Sequence, residues 1–94
     1  MSEAALIQVL QVTRAILLRP DNDFSWSRWK DQEAAVADFD DILRRIRAAE
    51  TIKLTELEVL YAPTGSLQEV SIESDWGDDF MKLSSRFDRA IADL

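Results

Sequence analysis

The chain has 94 residues, with 18 Asp and Glu against 11 Lys and Arg, a formal charge of -7 at neutral pH, and neither histidine nor cysteine. That composition excludes disulfides, thiolate zinc sites, cysteine nucleophiles and any triad built on an imidazole base. A hydrophobic fraction of 47% with only 2 Gly and 2 Pro belongs to a folded chain, and residues 1–94 are expected to form a single small globular domain. A domain of this size buries a modest share of its surface and gains from a partner that covers more.

From Glu3 to Arg19 the residues Leu6, Val9, Leu10, Thr13, Ile16 and Leu17 share one stripe at helical spacing, with Gln8, Gln11, Arg14 and Arg19 off it. Ser2 is placed to cap this helix and Pro20 to stop it. Ile7 and Leu18 fall on its polar side, which makes them interface candidates. There is neither a basic leader nor an apolar run long enough to span a bilayer, so a soluble, cytoplasmic protein is expected.

Pro20 to Lys30 combines the turn formers Asp21, Asn22, Asp23 and Ser25 with Phe24, Trp26 and Trp29. Together with Arg28 these rings make a candidate binding surface, because Trp and Arg are favoured at interface hot spots and Trp stacks on flat or cationic groups. In the plainer alternative, the rings close one end of a small core.

A second helix is expected to begin between Ser27 and Asp31 and to run to about Glu50, its stripe formed by Ala35, Val36, Phe39, Ile42, Leu43 and Ile46. Its acids lie toward the N-terminal end and Arg44, Arg45 and Arg47 toward the C-terminal end, in the sense the helix dipole favours. Asp40 with Arg44, and Asp41 with Arg45, are favourably spaced pairs.

From Thr55 the period becomes two. Leu57, Val59 and Tyr61 alternate with Glu56, Glu58 and Leu60; after Pro63-Thr64-Gly65-Ser66, Gln68, Val70 and Ile72 alternate with Glu69, Ser71 and Glu73. This predicts an antiparallel hairpin whose register sets Val59 opposite Val70 and Leu57 opposite Ile72. A last helix follows the acidic turn Ser74 to Asp79, with Trp76, Phe80, Leu83, Phe87, Ile91 and Leu94 on one stripe. The expected fold is therefore α+β, in order α-α-β-β-α: three helices in a single layer packed on a two-stranded hairpin.

The remaining chemistry is sparse. Asp21-x-Asp23-x-Ser25 meets Trp26 where a calcium loop needs glycine, and the Asp75 to Asp79 acids suit a helix start, so no metal and no cofactor are expected. Arg44, Arg45 and Arg47 are too local, on so acidic a chain, for nucleic-acid binding. Tyr61 and Ser66, near the predicted hairpin tip, lack the partners a catalytic pair requires. The expectation is a non-catalytic interaction module that self-associates as a homodimer, with Ile7, Leu18, Phe24, Trp26, Arg28, Trp29 and Trp76 as candidate interface residues. The alternatives are an acidic inhibitor or immunity-type protein binding a basic partner, or a small-ligand protein or enzyme with a Trp-lined pocket.

Overall fold

A computed structural model describes residues 3–63 and 65–94. Among them are five helices: α1 (Glu3–Leu17), α2 (Gln32–Arg47), α3 (Leu54–Tyr61), α4 (Ser66–Glu73) and α5 (Gly77–Ala92), with no strand. The Ser2 cap lies outside the described residues.

α1 is the centre of the arrangement. It packs on α2 along one side and on α5 along the other, and α5 also carries α3 and α4. All six stripe residues of α1 are buried, because only a broad apolar face satisfies contacts on two sides. Asp31 caps α2 by accepting from the Ala34 N–H at 2.9 Å, at the end of the interval the sequence allows. Of its stripe, Ala35, Phe39, Ile42 and Leu43 are fully buried, while Val36 and Ile46 pack at the margin of the core. The Asp41–Arg45 pair forms at 3.0 Å, whereas Asp40 turns to Arg14 of α1 instead of Arg44.

The predicted hairpin is overturned, and with it the α+β class: residues 54–61 and 66–73 are two short helices. Their buried residues, Leu57, Leu60 and Tyr61 in α3 and Leu67, Val70 and Ser71 in α4, follow the i, i+3, i+4 spacing of one helical face. The strand register would bury Val59 and Ile72, yet they are 57% and 56% exposed. It would also turn Leu60 outward, and Leu60 is buried. The physical reason is that an eight-residue amphipathic segment fits both periods. Leu, Glu and Gln favour the helix, and tertiary packing on α5 stabilises turns too short to persist alone.

Gly65 joins the two short helices. Its N–H donates to the Ala62 carbonyl at 2.9 Å, and a Cβ there would stand 2.5 Å from the Val59 carbonyl oxygen. Only a residue without a side chain lets the chain reverse so close to the end of α3. The C-termini of α2 and α4 both close with a non-glycine residue in the left-handed region, Ala49 at φ 58° and Asp75 at φ 63°. In each, a backbone N–H returns to the helix: Glu50 to the Arg45 carbonyl and Trp76 to the Ser71 carbonyl, both at 2.9 Å.

Candidate functional site

The loop between α1 and α2 has no regular structure, but its backbone is fastened at both ends to α4. The Asp23 N–H donates to Ser74 Oγ at 2.9 Å and the Arg28 N–H to Ser66 Oγ at 3.0 Å. Ser66 opens α4 and Ser74 follows its last residue, so the loop runs antiparallel along that helix from end to end. Within it, the Ser25 N–H donates to the Asp23 carboxylate at 2.9 Å and Ser27 Oγ to the Phe24 carbonyl at 2.9 Å. The Ser25 bonds hold the Asp23 carboxyl below its ordinary range.

The candidate aromatics divide sharply within this frame. Trp29 is buried, tilted against Phe39 with ring centres 6.3 Å apart. Its indole N–H donates to Asp38 Oδ2 at 2.7 Å, and Arg28 reaches the same oxygen at 2.9 Å while its guanidinium lies 5.6 Å over the Trp29 ring. Arg28 is thereby held in place while remaining exposed. Trp76 is also buried, with its indole N–H on Asn22 Oδ1 at 2.8 Å; Asn22 in turn donates to the Ile16 carbonyl at 2.8 Å. Phe24 and Ile7 are half-buried against the core, and Leu18 is exposed. Trp26 is different from both other indoles: it is 72% exposed.

The structure thus gathers Arg28 and Trp29 at Asp38, ties Trp76 to the start of the loop, and leaves Trp26 displayed on a fastened segment. Asn22, Asp38 and Ser74 are residues the sequence did not single out for the site, and Ser66 was weighed only beside Tyr61 and not as a fastening for the loop. Ser66 and Ser74 lie 38 and 51 positions from their loop partners, so no local pattern could flag them.

The Tyr61–Ser66 pairing does not form. Tyr61 is stacked on Phe87 with ring centres 4.3 Å apart and planes 12° from parallel, and its hydroxyl lies 2.7 Å from Thr13 Oγ1. The Thr13 proton is committed to the Val9 carbonyl at 2.8 Å, so Tyr61 donates and Thr13 accepts. Burial pushes the Tyr61 hydroxyl well above its ordinary pKa, against the opposing effect of the Thr13 bond, which keeps it a neutral hydrogen-bond donor. Among the described residues, no group of three or more Asp and Glu side chains is arranged to hold a metal ion, and no helix is long and apolar enough to cross a membrane. No protein family, curated protein or solved structure matches the chain.

Proposed function

We propose that the chain is a non-catalytic protein-interaction domain of the cytoplasm that self-associates through the loop bearing Trp26. The observation that carries this is the contrast within one loop. Trp29 is buried and Phe24 half-buried, while Trp26 stands 72% exposed on a backbone pinned at both ends. A rigidly presented indole loses little conformational entropy on binding and offers a large apolar area, which are the properties of an interface anchor. A two-fold dimer would pair the loop with its own copy.

The alternatives draw less support. A Trp-lined ligand pocket needs accessible indoles around a cavity, and two of the three are core residues with their ring N–H groups already satisfied. An acidic inhibitor needs carboxylates gathered on one face, and here acids occur on all five helices and in the loop.

Sedimentation equilibrium across micromolar concentrations tests the proposal. The wild-type chain is expected to show a dimer, with Trp26→Ala shifting it to monomer while the circular dichroism spectrum is unchanged. A wild-type chain that stays monomeric, or a variant that dimerises equally well, rejects it.

A further inference from the structure

α1 and α5 pack antiparallel, and the groove between them is lined by four of the chain's eleven cations. One stretch, of about 440 Å³, is lined by Val12, Ala15, Ile16 and Leu83 and rimmed by Arg19, Lys82, Arg86 and Asp79. A second, of about 210 Å³, continues it past Arg86 toward Ala5, Ala90, Arg89 and Asp93. The floor of the first stretch is apolar, with Ala15 exposed on it, while the second adds Gln8 beside Ala5 and Val9.

The cations are the informative part. Acids outnumber bases by 18 to 11, so a positive side chain has many potential partners, and Arg14, Arg28, Arg44 and Arg45 all close ion pairs. The other seven of the eleven cations close none among the described residues; Lys30, Arg47 and Lys53 lie elsewhere, whereas Arg19, Lys82, Arg86 and Arg89 gather along this one groove, although Asp79 and Asp93 line it too. Lys82, Arg86 and Arg89 follow one another at i, i+4 and i+7, so they form one ridge of α5. A row of uncommitted cations beside an apolar trough, on a chain of charge -7, is complementary to a ligand that is apolar on one side and negative along its edge.

We propose that the α1/α5 groove is a docking site for an acidic amphipathic helix of another protein. Such a helix would lie on α1 and α5 as a third member of the bundle, its apolar stripe on half-buried Val12 and exposed Ala15 and on the edges that the core residues Ile16 and Leu83 show to the groove. Carboxylates four and seven residues apart along its edge would meet Lys82, Arg86 and Arg89. The 15 residues of α1 make a trough about 22 Å long, enough for about four turns. This surface is separate from the Trp26 loop, and the two proposals fail independently.

The probe is a fluorescein-labelled 18-residue helical peptide of Ala, Leu and Glu, with Glu along one edge of the apolar stripe. It is read by fluorescence anisotropy against the full chain at low salt. Saturable binding is expected, weakened at least tenfold in the Lys82→Glu/Arg86→Glu variant, weakened steeply by added salt and unchanged in Trp26→Ala. Circular dichroism of the double variant confirms that it folds, as expected for substitutions at the groove rim.

Absence of binding overturns the proposal. So does equal binding of a peptide with Lys in place of Glu, or undiminished binding to the double variant. Two further results replace the occupant and also reject it. One is tighter groove-dependent binding of a single-stranded oligonucleotide than of the peptide; the other is loss of wild-type self-association in the double variant but not in Trp26→Ala.

Discussion

The α1–α2 loop and the α3–α4 corner both cover the sides of a small helical core, and they do so by opposite means. The corner buries Leu57, Leu60, Tyr61, Leu67 and Val70 and depends on one backbone approach at Gly65. The loop makes no backbone ladder and is held by side chains: Asn22 on Trp76, Ser74 and Ser66 on its N–H groups, Asp38 on Trp29. The corner is specified by volume and the loop by hydrogen-bond direction. Apolar burial tolerates many substitutions of similar size, whereas a buried donor left without its acceptor pays its full desolvation.

Substitutions can separate the two regimes. The largest effect is expected for Trp76→Ala, which empties a core position and releases Asn22; a loss of about 3–5 kcal/mol in urea unfolding would match large-to-small core changes. A loss under about 1 kcal/mol would mean the loop end is not fastened as described. Gly65→Ala attacks the corner alone and is expected to cost about 1–3 kcal/mol, because the added methyl meets backbone and not a movable side chain. Ser66→Ala leaves α4 intact while removing the acceptor of the solvent-exposed Arg28 N–H, and a loss of about 0.5–1.5 kcal/mol, the net worth of one hydrogen bond, is expected by the same measurement. It should also raise the proteolysis rate around Trp26, which Gly65→Ala should do less.

The smallest effect is electrostatic and belongs to the corner. Arg45 holds Glu56 of α3 at 2.6 Å and lies 3.0 Å from Asp41. Its hydrogen bond is the main cause lowering the Glu56 pKa, while for Asp41 the bond from Arg44 leads and Arg45 adds to it. A carboxylate whose pKa falls on folding stabilises above its unfolded value, and that contribution disappears as the pH drops through the folded value. The chain should therefore lose urea resistance on acidification below the ordinary carboxylate range, and Arg45→Met should make that acid limb shallower. Parallel limbs for the two proteins would show that the α2–α3 ion pair contributes nothing measurable.

The same contrast explains how much was legible beforehand. α1, α2 and α5 are long enough for a helical period to repeat several times, and their buried faces match the sequence stripes apart from margins such as Ile91 and the exposed Leu94. At eight residues each, α3 and α4 complete barely two turns, and alternate residues of a helix and of a strand overlap too much to be told apart by period. Leu60 was the discordant residue, a large apolar side chain on the supposed polar face, and it marked the helical solution. In the loop, the anomaly of three rings in an irregular segment was visible. Which ring stays outside was not, because that depends on Asn22 and Asp38 meeting indole nitrogens and on Ser66 and Ser74 arriving from far along the chain. The α1/α5 groove was equally hidden, since Arg19 and Lys82 are ordinary surface residues until packing sets their helices side by side.

The two serine clasps at the ends of α4 bear on the order in which the molecule sets. The loop residues belong to the first third of the chain, but their partners lie 38 and 51 positions downstream. During synthesis from the N-terminus the segment carrying Trp26 has nothing to lie along until α4 has emerged. The Trp26 surface therefore matures only once α4 is available, and a nascent or truncated chain lacking residues beyond 65 would carry the indole without the geometry that presents it.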